Sequence, residues 1–289
     1  MSLIGPRGRA MARRVLGDAG ALAGIAFIAI VALLAILAPL LPLDPIGQDI
    51  VAALEGPSAT HWFGADELGR DILARVVYGA RTSLMTAAGA VAIAGSIGVP
   101  IGLAAGFFGG WRDALLMRAV DVLLSLPGIL LAMAMIAVLG RSQMAALIAV
   151  GITGMPGFAR ITRAQVLSLR SRDFVTAVEA LGASSGYTMF RTVLPNSWSP
   201  ILVQAIVLSS VAILLEAALA FLGVGIPPPT PSWGEMLRTG KSYLYEAPTY
   251  AVLPGIVLTA TILSLDTIGR ALSAALEDRR MADVQGIAR

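Results

Sequence analysis

Cysteine is absent from the 289 residues, and histidine and lysine occur once each, at His61 and Lys241. Without thiols there is neither a disulfide framework nor a thiolate metal site, and a single histidine in a polar stretch reads as a solvated or hydrogen-bonded group rather than a ligand. Charge is scarce too. Asp, Glu, Lys and Arg make up 13% of the chain, against roughly a quarter in a soluble domain. With 57% hydrophobic residues and so little charge, the chain cannot face water all round. Its apolar residues fall in long blocks, which places them in lipid. The net charge of +3 comes from arginines spread over several short loops, a distribution that belongs to membrane-flanking segments and not to a nucleic-acid face.

The blocks predict an all-α membrane protein with six transmembrane helices. A basic tail over 1–18, carrying Arg7, Arg9, Arg13 and Arg14, precedes a first span over 19–41. That block is longer than the ~7–15-residue apolar core of a signal peptide, and it reads as an uncleaved helix. An external segment over 42–80 follows. The core over 81–274 then holds five further spans near 82–107, 114–139, 143–159, 198–222 and 250–272, with a tail over 275–289. Between the spans lie a loop over 170–196 and an external loop over 223–249. If the first tail is cytoplasmic, fifteen basic residues fall on that side and six on the other. The bias therefore places both termini and the 170–196 loop in the cytoplasm. Gly98, Gly102 and Gly106 repeat every four residues on one face of the second span, which allows another helix to approach closely. The prolines at 227, 228, 229 and 231 predict an extended, non-helical external loop.

The 170–196 loop reads as two short helices. Phe174, Ala177, Val178 and Leu181 stand at i, i+3, i+4 and i+7, Gly182 ends that helix, and Ser184 or Ser185 caps the next. The second helix carries Tyr187, Phe190 and Leu194 before Pro195 stops it. The apolar stripe must bury itself, either on the ends of its own bundle or against a docked partner. Three acids lie inside apolar blocks, where an isolated charge costs ~2.5–3.5 kcal/mol or more. Asp121 and Asp266 are near the cytoplasmic ends and within reach of water or of Arg118 and Arg270. Glu216 is deeper, facing the bundle interior or a translocation path. On the external side, Asp66 with Arg70 and Asp71 with Arg75 have the spacing of i, i+4 pairs on an interfacial helix. Gly240, Lys241 and Ser242 echo the end of a phosphate-binding loop, but Glu235 stands where its first Gly must be. The match is accidental, so the chain itself has no ATP-binding motif.

Three segments resemble a known family. Ala177 and Gly182 followed by Leu194 and Pro195 match the spacing of the coupling loop of bacterial ABC-importer permeases, with Thr176, Val178 and Thr192 where that pattern has Glu, Ala and Ile. The stretch HWFGADELGRDILARVVYGARTSL over 61–84 resembles the signature of dipeptide/oligopeptide permeases of the "C" type. FLGVGIPPPTPSWGEML over 221–237 is similar to the same subfamily's segment after its fifth span. The chain departs from it at 275–279, ALEDR where the family usually has ALDPR. The resemblance implies a type I importer permease in the inner membrane, without catalysis, metal or cofactor of its own, ATP and Mg being held by partner subunits. It also implies four kinds of partner: a homologous second permease, two ATPases, an extracytoplasmic solute-binding protein and the lipid itself. Phe174, Thr176, Ala177, Val178, Leu181, Gly182, Leu194 and Pro195 would then form the contact with an ATPase. Peptides are the implied cargo, with nickel or another small solute as the alternative. A proton-coupled carrier using the buried acids is the rival. An intramembrane hydrolase is a third reading, and no Gly-x-Ser-x-Gly or His-Glu-x-x-His motif supports it. The arginine bias is directly testable, because the chain has no thiol of its own. A cysteine at Ser184 is expected to label from the cytoplasmic side only, and labelling solely from outside would invert the topology.

Overall fold

The computed structural model describes residues 15–287, with side chains up to 276. Arg7, Arg9, Arg13, Arg14 and Arg289, on which part of the charge bias rests, lie outside that description, as do the side chains of Arg279 and Arg280. Asp18 caps the first helix, α1 (Ala19–Leu37), by accepting the Ala21 N–H at 2.8 Å. A 3₁₀ turn over Ala38–Leu40 follows. The next segment holds one further 3₁₀ turn, Ile50–Ala52, capped by Asp49, before Asp71, whose carboxylate accepts the Ala74 N–H and starts α2 (Ile72–Phe108). This helix begins ten residues before the apolar block that predicts it. Its polar first turns are tolerated because Arg75, fully buried, is paired with acids.

The third span is not one helix. Pro127 has no N–H to donate to the preceding turn, and its ring disfavours a helical residue before it. The expected 114–139 span accordingly breaks into α3 (Gly110–Leu124) and α4 (Gly128–Leu139), bent by 87°. Helix α5 (Gln143–Arg170) opens on Ser142, which caps the Ala145 N–H. It runs eleven residues past the predicted end at 159, because the arginines there find partners. Arg160 pairs with Asp121 at 2.6 Å, and Arg163 reaches both carboxylate oxygens of Asp113 at 2.6 Å each.

After α6 (Asp173–Ala180) the chain turns at Gly182 and rises through a helical turn at Ser185–Tyr187, a wider turn over Thr188–Val193 and α7 (Leu194–Phe221). Pro195 was expected to end the second loop helix, yet the run passes through it. In the wide turn Leu194 N–H bonds back five residues to the Met189 carbonyl, and Pro195 occupies the first turn of α7, where a missing N–H costs nothing. The external loop also differs from expectation. The prolines are non-helical as expected but not extended throughout, Pro228 and Pro229 lying in a turn joined by a cis peptide bond. Ser232 then caps the short α8 (Trp233–Gly240), and a 3₁₀ turn at Lys241–Tyr243 leads towards α9 (Thr249–Ile287). Among the described residues, five helical runs are long and apolar enough to cross a membrane, six if the bent α3–α4 pair is counted as one broken span.

The bundle centres on α2 against α5. A Cβ on Gly98 would fall 2.5 Å from the Met155 carbonyl oxygen, and one on Gly106 would fall 2.8 Å from the Val166 Cβ. At Gly102 it would meet the Ala159 carbonyl oxygen and Thr162. The three glycines therefore let two backbones touch, as membrane helices require when lipid offers no hydrophobic incentive to pair. Gly102→Ala is expected to lower the thermal unfolding midpoint in detergent, by the ~1–3 kcal/mol that an overpacked contact costs. Gly95→Ala, whose Cβ would stand 3.8 Å from Phe158, is expected to leave it unchanged. Equal midpoints for the two variants would contradict this account of the stripe.

Candidate functional site

The segment between α5 and α7 is built to stand out from the bundle. Val175 anchors it: the side chain is buried and packs in one cluster with Leu103 and Phe107 of α2, Val166 of α5 and Val193. Arg170 secures the base, its guanidinium donating to the Phe107 carbonyl at 2.5 Å and lying over the Phe107 ring at 5.2 Å. With Val175 facing inward, the neighbouring stripe turns outward. Leu181 is 89% exposed, Phe174, Tyr187 and Phe190 are about half exposed, and Val178 is half-buried at the border. Thr176, Ala177 and Pro195 are exposed, and Leu194 is half-buried.

Gly182 makes the turn. Its N–H donates to the Glu179 carbonyl at 2.9 Å, and the Ala183 N–H donates to the Val178 carbonyl at 3.3 Å. This is the paired bonding that closes a helix on a left-handed residue, and Gly182 has φ +83°. Ser184 then caps the next turn through the Tyr187 N–H. Val175 is the residue that the stripe argument missed. The periodicity search found the apolar face, but only the packing shows which of two adjacent apolar positions is the anchor and which residues remain uncovered.

The three acids in the spans have separate settings. Asp266 pairs with Arg270 at 2.9 Å. Asp121 also pairs, with Arg160 of α5 rather than with Arg118 on its own helix. Glu216 is buried on α7. The Ser83 hydroxyl of α2 donates to its Oε2 at 3.1 Å, the Ser232 hydroxyl also faces it, and Oε1 has no partner. The structure does not bring Glu216 together with Asp121 or Asp266 in any hydrogen bond or ion pair described.

The acids before α2 are not on an interfacial helix, and Asp66 is not solvated. Asp66 is buried in a turn, pairs with Arg70 at 2.7 Å and lies 3.2 Å from the Arg75 Nε. Asp71 serves α2 as its cap, with His61 Nδ1 3.6 Å away. The second anion of Arg75 is Glu235 of α8, at 3.0 Å, a partner 160 positions along the chain that no local spacing rule can find. At the start of the external segment, the N–H groups of Ile46 and then Gly47 donate to Asp44 and hold its carboxyl below the usual carboxylate range. Lys241 lies 4.6 Å over the Phe221 ring, an attachment at the external end of α7.

Comparison with known proteins gives the family. Residues 98–281 match the family described as "Binding-protein-dependent transport system inner membrane component". The chain is 45% identical over 226 residues to the "Dipeptide transport system permease protein DppC" of Alkalihalophilus pseudofirmus, covering 78% of this chain and 74% of that protein. It is 42% identical to the "Di/tripeptide transport system permease protein DppC" of Pseudomonas aeruginosa, covering 78% and 75%. The "Glutathione transport system permease protein GsiD" of Pectobacterium atrosepticum is 39% identical, with the same coverages. Among solved structures, an inward-facing form of the MetNI methionine ABC transporter shares the fold, with a TM-score of 0.55 at 19% identity, over 70% of this chain and 97% of that one. With its helical bundle, its outward-standing loop and these relatives, the chain belongs to the family of binding-protein-dependent transport system inner membrane components, the membrane-spanning permeases of ABC importers.

Proposed function

We propose that this permease carries di- or oligopeptides inward, and that its 170–196 segment is the handle through which a separate ATPase moves it. The cargo reading is supported by the relatives named for dipeptides, di/tripeptides and glutathione. The last is itself a tripeptide, so all three describe one chemical class. The single observation that carries the handle is the split character of α6, with Val175 locked into the bundle while Leu181 and Phe174 stand uncovered beside it. A loop that packed only on its own bundle would bury both faces. One that is gripped on one face and bare on the other suits a rigid lever pressed into a partner's groove.

In this reading the loop and both termini are cytoplasmic. A second, homologous permease completes the membrane-spanning pair, two ATPases dock on the two loops, and a solute-binding protein delivers cargo to the external side. ATP and Mg belong to the ATPases, and this chain's part is positional. When the ATPases close, they carry the handle with them. The helices tied to it through Val175 and α7 then exchange access between the two sides of the membrane.

Two substitutions test the handle. Val178→Asp places a carboxylate at the edge of an apolar contact, costing several kcal/mol if the contact buries it. Gly182→Val puts a β-branched residue at φ +83°, where L side chains are strained by ~1–2 kcal/mol. Both variants are expected to insert in the membrane, to lose co-purification with the ATPase or to retain it with substrate-stimulated hydrolysis abolished. Normal assembly and normal stimulation in both would remove the handle from the mechanism.

A further inference from the structure

Helix α8 is held by its seat rather than by its connections. The chain before it passes Gly223, at φ +83°, and the prolines of 227–231, and the chain after it is a 3₁₀ turn and five further residues. The seat lies at the external end of the bundle, between α2, α7 and α9. Trp233 is fully buried, its indole N–H donates to the Val76 carbonyl at 3.0 Å, and Gly79 leaves room for the ring. Gly234 rests directly on the backbone of Ala217 in α7, and Met236 is buried with Ile72, Val76 and Tyr250.

The rest of the seat is ionic. Arg75, with no exposed side-chain surface, reaches Asp66 at 3.2 Å, Glu235 at 3.0 Å and the Pro45 carbonyl at 3.2 Å. One guanidinium thus joins the external segment, α2 and α8. Below α8 lies Glu216, facing the hydroxyls of Ser83 and Ser232, with Oε1 unpartnered.

Such a seat suits a seal that opens better than a permanent one. A buried ion pair gives up the hydration of both ions for their mutual attraction, so it contributes little net compared with apolar packing of the same volume. Lifting α8 would return water to Arg75, Glu235 and Glu216, which offsets part of the cost of exposing Trp233 and Met236. An all-apolar seat would instead hold the closed state steeply, in proportion to its buried area. We propose that α8 is a movable plug over the external end of the bundle, and that Arg75 is the positioning residue that latches it, through Glu235, to the segment carrying Pro45 and Asp66. This rests on the importer reading, in which the external end opens once per cycle.

The test uses the complete complex in proteoliposomes, with its ATPases and binding protein, and Ser83→Cys as reporter beneath the plug. A membrane-impermeant maleimide is applied to the external side and its attachment to this chain is measured. In the resting complex the reporter is expected to be protected, and addition of ATP with loaded binding protein to raise its labelling. Arg75→Gln leaves Glu235 with only Arg238, partly exposed and 3.8 Å away, and is expected to raise resting labelling about tenfold or more. Adding Glu235→Gln to that variant removes the poorly paired charge and is expected to restore most of the protection. Vesicles that take up solute while the reporter stays inert throughout would overturn the plug. Arg75→Gln that lowers the yield or thermal midpoint without raising labelling would reduce Arg75 to a structural role and overturn the latch. Absence of any ATP-driven uptake by the unsubstituted complex would overturn the importer reading, and this proposal with it.

Discussion

Hydrocarbon has no water to offer, so every polar group carried into it needs a partner supplied by the protein. The remaining architecture follows from how this chain meets that demand. Its helices satisfy their own backbones. Its charged side chains are then placed where a second helix can answer them: Arg163 with Asp113, Arg160 with Asp121, Arg75 with Asp66 and Glu235. Each pair crosses between elements and so fixes which segments are neighbours. The bent α3–α4 element depends on this most. Of α3 only Val120 is buried, and two ion pairs to α5 hold it in register.

Within that frame, close packing does the work that hydrophobic burial does in water. Lipid is as apolar as leucine, so helices associate through contact at short range, and small residues decide where contact is possible. The glycines of α2 place α5 against it, Gly79 admits Trp233, and Gly234 seats on Ala217. Through these positions the α2–α5 core, α7 and the external α8 are continuous, and the handle joins the same body through Val175 and Val193.

What could be read in the sequence, and what could not, divides along the range of the signals. Apolar blocks identify spans because the bilayer imposes a length, so the membrane class and the order of the spans were legible. Block edges are poor guides to helix ends, because a helix continues for as long as its polar residues find partners. Arg75 lets α2 begin early, and Arg160 and Arg163 let α5 run late. Pro195 illustrates the converse error: proline ends a helix only if the preceding turn cannot widen, and Thr188–Val193 widens. The loop's stripe and its glycine turn follow a local period and were visible. The anchor at Val175 depends on Leu103 and Phe107, and the Arg75 cluster on Glu235. Partners so distant in the chain leave no trace in any window of sequence.

The run from Ser185 to Phe221 is helical over 37 residues, with the wide turn at Thr188–Val193 and Pro200 inside it, so the 170–196 segment and the chain beside α8 lie on one continuous helical path. At 1.5 Å per residue it is about 55 Å long, and a tilt of about 10° about its middle would carry each end through about 5 Å. A displacement of that size is comparable to the thickness of one layer of side chains. If the 170–196 segment is the handle proposed above, that path connects it directly to the chain beside α8, and the wide turn and Pro200 are the places along it where bending is easiest.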